Sequence, residues 1–93
     1  MSRHGKELRR LVGDFLEEKD SFWGFHEAFL DRWTRLPEGG LSPADHGAWN
    51  EIYGWILTSI PDPVSWEDGG RGLIGEAALR TRLRGHPLLA PPQ

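Results

Sequence analysis

The residues best suited to chemistry in this sequence are four histidines, and their spacing favours neither a metal site nor catalysis. They are His4, His26, His46 and His86. No two of them stand three or four residues apart on one predicted helix, as paired helical metal ligands do. The chain has no cysteine, so it offers neither a thiolate ligand nor a disulfide. We therefore expect histidines on the surface, no metal and no other cofactor.

Motifs for catalysis or nucleotide binding are also missing from the sequence. The serines lack the nucleophile-elbow pattern, and the run Gly69–Gly72 lacks the spacing of a Walker or dinucleotide-binding loop. The carboxylate pairs Glu17–Glu18 and Glu67–Asp68 are adjacent along the chain, so their spacing does not predict two groups facing each other across a cleft. The sequence therefore predicts no enzymatic activity.

The tryptophans are more informative about function. The chain has five in 93 residues, and helical position divides them into two groups. Trp33 and Trp49 lie inside apolar stripes and are predicted to belong to the core. Trp23, Trp55 and Trp66 lie at or beyond the stripe edges. A large aromatic side chain in such a position either covers a small core or anchors a partner, and the sequence leaves both interpretations open.

Charge is distributed unevenly along the chain. The net charge is −3, yet residues 14 to 76 carry 13 acidic side chains against four basic ones, and both ends are basic. An acidic middle repels nucleic-acid phosphates and attracts basic protein surfaces. The alternative interpretation is an ordinary solvated surface on which the charges are scattered by chance.

Acidic and aromatic residues occur together around the end of the third predicted helix and in the loop after it. They define a predicted partner-binding site of six residues: Glu51, Trp55, Asp62, Trp66, Glu67 and Asp68. The expected partner is a protein. RNA binding by the cationic segment Arg80, Arg82 and Arg84 is a weaker alternative, because those charges would have to outweigh the acidic middle.

Four helices are predicted to position these residues. Apolar residues at three- and four-residue steps predict helix one over about 6–19 and helix two from a Ser21 cap to about residue 33. Ser42 and Pro43 mark the start of helix three, which is predicted over about 42–59. A short fourth helix is predicted over about 75–84, with Gly85 as its C-cap.

The remaining segments contain proline and glycine. Two prolines and three glycines between Ile60 and Gly72 favour a loop, and no strand alternation is visible in the chain. The ordered core is predicted over about 6–86, and the proline-rich tail 87–93 is expected to fray. The predicted fold is all-α: one domain, 1–93, forming a compact antiparallel bundle of three longer helices and one short C-terminal helix.

The N-terminal residues indicate where the protein resides. The chain begins with a charged segment, without the apolar stretch of a secretory signal, and it contains no run of apolar residues long enough to span a membrane. Together with the lack of cysteine, this predicts a cytoplasmic protein that does not associate with membranes.

Several segments resemble a known family. They are Phe25–Leu30 (FHEAFL), Trp49–Leu57 (WNEIYGWIL), Ile60–Pro63 (IPDP) and Gly75–Arg80 (GEAALR). In order and pattern they resemble the colicin D-like self-protective immunity proteins, over roughly residues 8–86. The resemblance implies a small helical bundle that binds and blocks the catalytic domain of a cognate bacterial toxin, typically a transfer-RNA-cleaving nuclease, through an acidic surface.

The functional prediction combines the residues with the resemblance. We expect an immunity-like inhibitor that binds the basic catalytic domain of a nuclease toxin through an acidic surface containing tryptophan. The alternative is a non-enzymatic regulatory or assembly protein, whose exposed tryptophans make protein–protein or homodimer contacts.

Overall fold

The structure is a computed structural model that describes residues 3–89, and this part of the chain is mostly helical. Its elements are α1 (Arg3–Leu16), α2 (Phe22–Thr34), α3 (Pro43–Leu57), β1 (Ser59–Ile60), α4 (Trp66–Gly70), β2 (Ile74–Gly75) and α5 (Glu76–Gly85). The mostly helical character is confirmed, whereas the antiparallel order of the bundle stays a prediction. Within residues 3–89, no helix is both long and apolar enough to cross a membrane.

The core takes its side chains from α1, α2, α3 and α5 and from the turn before α3. Its buried apolar residues are Leu8, Val12, Phe15, Phe22, Phe25, Phe29, Leu41, Trp49, Ile52, Ile56, Leu79 and Leu83. The predicted core position of Trp49 is confirmed, since only 2% of this residue is exposed. Trp33 is only partly buried and packs against the outside of this cluster. The apolar stripe correctly predicted that Trp33 faces the core, but it did not predict that the residue is only partly buried.

Helix α1 ends three residues before the predicted Lys19, because the chain closes it with a Schellman motif. The backbone N–H of Lys19 donates to Asp14 O (2.8 Å), and that of Glu18 donates to Phe15 O (3.1 Å). This turn needs a left-handed residue, and Glu18 supplies it at φ 61°. Glycine normally occupies that position, because a Cβ atom is strained there.

Replacing Glu18 with glycine should therefore stabilise the protein. We expect a gain of about 0.5–1 kcal/mol in the free energy of unfolding, because relief of the left-handed strain exceeds the extra freedom that glycine gives the unfolded chain. Urea denaturation measures the change. Glu18→Ala is the control, since it removes the charge but keeps the Cβ atom. A gain of the same size in both variants would show that charge, and not backbone conformation, is responsible.

Hydroxyl caps begin α2 and α3 as predicted. Ser21 Oγ accepts the Gly24 N–H (3.0 Å) and Ser42 Oγ accepts the Asp45 N–H (3.2 Å), with Pro43 at the first helical position of α3. Helix α3 ends at Leu57, two residues before the predicted Ser59, because Ser59 and Ile60 leave the helix as a strand.

The segment predicted as a loop contains regular structure, so that prediction is wrong in part. Strands β1 and β2 pair in parallel, with Ser59 opposite Ile74 and Ile60 opposite Gly75. Between them, Ser65 caps the five-residue helix α4 by accepting the Asp68 N–H at 3.1 Å. The prolines and glycines exclude a long helix but still permit one capped turn and a two-residue strand pair.

The C-terminal end also differs from the prediction. Gly85 is the last residue of α5, and His86 occupies the C-cap. The expected fraying from Pro87 is wrong for Leu88 and Leu89, which pack against the core. Burial of their apolar side chains favours packing of this segment against the bundle. The rest of the predicted tail, residues 90–93, lies outside the described residues.

Candidate partner-binding surface

Among the large hydrophobic residues of the described chain, 3–89, Trp66 is the most exposed. It stands at the start of α4, and 93% of it is accessible to solvent. Glu67 beside it is exposed and Asp68 is partly buried. Both carboxylates lie in the first turn of the helix, where negative charge is favoured by the helix dipole. We call Trp66, Glu67 and Asp68 the α4 surface. No residue of α4 is buried, so this helix contributes little to the core.

Asp62, another predicted site residue, caps α5. Its Oδ2 atom accepts the Ala77 N–H at 2.8 Å. Gly75 at the N-cap of α5 has no side chain for this purpose, and a Cβ atom there would lie 2.0 Å from Asp62 Oδ1. Glycine thus permits the close approach of the carboxylate. The structure gives Asp62 a structural role that its position in a proline-rich loop did not predict.

Glu51 and Trp55 are joined by a residue outside the predicted site. The ring of Trp55 meets the ring of His86 edge to face at 5.5 Å, and Glu51 Oε1 lies 4.0 Å from His86 Nε2. His86 is 7% exposed, so its prediction as a surface histidine is wrong. No contact described within residues 3–89 links this trio to the α4 surface. A single contiguous patch of six residues therefore stays a prediction.

A second exposed tryptophan lies on α2. Trp23 is 54% exposed, and its ring contacts the rings of Phe22 (4.9 Å) and His26 (5.3 Å). Its position outside the apolar stripe indicated this exposure. The predicted site of six residues does not include it.

Two of the three arginines in the cationic segment of α5 make hydrogen bonds within the protein. Arg80 donates to Phe15 O, lies 3.9 Å from the centre of the Phe15 ring and pairs with Glu76 Oε2 at 3.1 Å. Arg84 donates to Leu16 O at 3.4 Å. Two of the three arginines thus satisfy carbonyls at the end of α1. Sequence reasoning missed this role because nothing in the sequence placed α5 beside that end.

A cavity of about 320 Å³ lies between the end of α2 and the start of α3. It is lined by Trp33, Leu36, Pro37, Glu38, Gly39, Gly40, Leu41 and His46. No sequence motif marks the turn beside this cavity, so the cavity could not be predicted. Among residues 3–89, no three histidine, aspartate or glutamate side chains are grouped closely enough to hold a metal ion.

One side chain near the α1–α2 turn has a perturbed ionisation. The pKa of Lys19 is raised above its ordinary value because the ammonium hydrogen-bonds the Glu17 carboxylate, with further attraction from Asp14. The Lys19 Nζ to Glu17 Oε2 distance is 2.9 Å. Lys19 is exposed, so the shift reflects a solvated ion pair.

Comparison with protein-family models, curated proteins and solved structures finds no match to this chain.

Proposed function

We propose that this protein binds a basic surface of another protein through the α4 surface, and that it inhibits the partner, as the resemblance to immunity proteins implies. The observation that carries the proposal is the 93% exposure of Trp66 beside two carboxylates. A tryptophan in that position adds almost nothing to the stability of the fold.

Trp66 leaves a large apolar area in contact with water. A tryptophan buries about 150–250 Å² when it is covered, which corresponds to about 4–6 kcal/mol of gross hydrophobic free energy. Part of this is offset by the loss of motion on association. Tryptophan is enriched among the hot spots of protein interfaces, where truncation to alanine costs about 2 kcal/mol or more.

The negative charge of the α4 surface favours a partner with a basic surface. Glu67 and Asp68 stand beside the indole on α4. Such charges attract a cationic surface over about 10 Å in 0.1 M salt, which accelerates the encounter. A nuclease active site carries lysine and arginine to hold phosphate, so an acidic inhibitor competes with RNA for the same groups.

The functions proposed from the sequence differ in how well the contacts support them. Direct RNA binding by α5 is disfavoured, because Arg80 and Arg84 are bound to carbonyls of α1. A cytoplasmic inhibitor of a toxin nuclease fits the acidic middle and the exposed Trp66 together. We therefore prefer inhibition of a basic catalytic domain to a nucleic-acid function.

Photo-crosslinking in cells of the source organism tests this proposal. A photoreactive residue replaces Arg71, which is exposed at the C-cap of α4. The matched control carries the same group at Glu27, an exposed position on α2. We expect the Arg71 probe alone to capture a protein with a basic nuclease domain, and the purified chain to inhibit the activity of that domain. Equal capture at both positions, or a captured nuclease that the chain leaves active, would contradict the proposal.

Truncation of the anchor gives a quantitative prediction. Trp66→Ala should weaken binding to the captured domain by about 2–4 kcal/mol, or about 30-fold to 900-fold, mainly through faster dissociation. Surface plasmon resonance measures both rates. Trp23→Ala is the control, because it removes an exposed tryptophan from another helix. If Trp23→Ala weakens binding and Trp66→Ala does not, the anchor lies on α2.

Trp23 also supports the alternative function, a regulatory or assembly module with a homodimer face. Among residues 3–89, it is one of two exposed tryptophans, the other being Trp66. Sedimentation velocity over a series of concentrations distinguishes the two functions. A monomer at all concentrations supports the inhibitor, whereas a dimer that Trp23→Ser dissociates supports the module.

A further inference from the structure

The C-terminal segment is held to the bundle by a buried histidine. After α5, His86 is 7% exposed, and its Nδ1 atom accepts the Leu88 N–H at 3.1 Å. The Leu89 N–H donates to His86 O at 2.9 Å, which closes a tight turn. Leu88 and Leu89 then pack against the core. The His86 side chain and carbonyl thus hold the turn that brings Leu88 and Leu89 back against the helices.

The hydrogen bond from Leu88 determines which tautomer the neutral ring adopts. Because Nδ1 accepts a backbone N–H, the neutral ring carries its proton on Nε2. That atom faces Glu51 Oε1 at 4.0 Å, and the edge of the ring meets Trp55. A second proton would have to go to Nδ1. It would then point at the Leu88 N–H, and two donors would face each other.

We propose that His86 is a pH-operated latch for the C-terminal segment. The neutral ring holds the Leu88 amide, and protonation of Nδ1 breaks that bond and loosens residues 86–89. Glu51 attracts the protonated ring but faces Nε2, so it does not replace the lost bond. This inference is independent of the proposed inhibitor function, because it depends only on contacts at the end of α5.

Arginines on α1 and α5 are further charged groups on the helices near the latch. Arg9 on α1 donates to Leu88 O, and its guanidinium stays protonated at any pH of interest. On α5, Arg84 donates to Leu16 O, and Arg82 is exposed. A proton on His86 Nδ1 would therefore change the contact of the Leu88 amide, while Arg9 retains the Leu88 carbonyl.

Amide hydrogen exchange measured by NMR tests the latch. Exchange of the Leu88 amide is followed from about pH 8 to about pH 5, the range in which histidines generally titrate. Each measured rate is divided by the rate of an unstructured peptide at the same pH, which gives the protection of the amide. The carbon-bound ring protons of His86 report its protonation in the same samples. We expect protection of the Leu88 amide to fall at least about 10-fold as His86 becomes protonated, since the bond that protects it is lost.

Two comparisons make the test specific. The amide of Leu79, a buried residue of α5, should keep its protection and so exclude global unfolding. His86→Asn should abolish the pH dependence, because an asparagine carbonyl accepts the N–H two residues on and does not titrate. Constant protection of Leu88 in the wild type, a parallel loss at Leu79, or the same loss in the His86→Asn variant would each overturn the proposal.

Discussion

Trp49→Ala is expected to lower the free energy of unfolding by about 3–5 kcal/mol, the largest effect of any substitution considered. Trp49 is 2% exposed, and its ring lies 6.1 Å from that of Phe29 on the neighbouring helix α2. Removing the indole leaves a cavity at the contact between α2 and α3, which the surrounding helices close only in part. A chain of this length has a total stability of about 5–14 kcal/mol, so the variant should be close to unfolding.

Urea denaturation followed by circular dichroism measures this loss. Trp66→Ala is the matched control, because it deletes the same side chain from a position that is 93% exposed. Its free energy of unfolding should change by no more than about 0.5 kcal/mol, the usual range for exposed positions. Equal losses in the two variants would show that Trp49 does not belong to the core.

Arg80→Met is expected to cost about 2–3 kcal/mol. The guanidinium donates to Phe15 O and lies 3.9 Å from the centre of the Phe15 ring, and the side chain is 13% exposed. A charged hydrogen bond in such a place contributes about 1.5–3 kcal/mol, and the cation–π contact adds about 0.5–2 kcal/mol. Methionine retains most of the packing of the arginine stem, so the loss reports the polar contacts.

Arg82→Met on the same helix is the control, because Arg82 is exposed and has no described contact within residues 3–89. Thermal unfolding of both variants should show a clear loss for Arg80→Met and almost none for Arg82→Met. If the two variants unfold at the same temperature, Arg80 does not fasten α5 to the end of α1.

The helices could be predicted because their signals are local. Apolar spacing identified the buried faces of α1, α2 and α3, and the Ser21 and Ser42 caps fixed two helix starts to within a residue. The short strand pair could not be predicted in this way. It depends on Ser59 and Ile74 lying side by side, a contact between distant parts of the chain.

The candidate site could be predicted less well than the fold. Exposure of Trp66 followed from its place in an acidic segment rich in glycine. The capping role of Asp62 and the contact of Glu51 with His86 both depend on where α5 packs. A sequence pattern shows which side chains are polar. It does not show which of them a neighbouring helix will use.

Association kinetics at two salt concentrations test the proposed binding surface most directly. The chain that carries Glu67→Lys and Asp68→Lys is compared with the wild type by surface plasmon resonance against the basic domain captured by the Arg71 probe. A double variant with Glu18→Lys and Glu27→Lys, both at exposed positions, makes the same change in net charge elsewhere.

We expect the α4 double variant to associate about 10-fold more slowly than the wild type in 0.05 M salt, with a flatter salt dependence, because steering by exposed charges is lost. The difference should nearly vanish in 1 M salt, where the Debye length is about 3 Å. The control variant should retain most of the wild-type rate. Unchanged association by the α4 double variant, with an unchanged salt slope, would show that the partner binds another face of the protein.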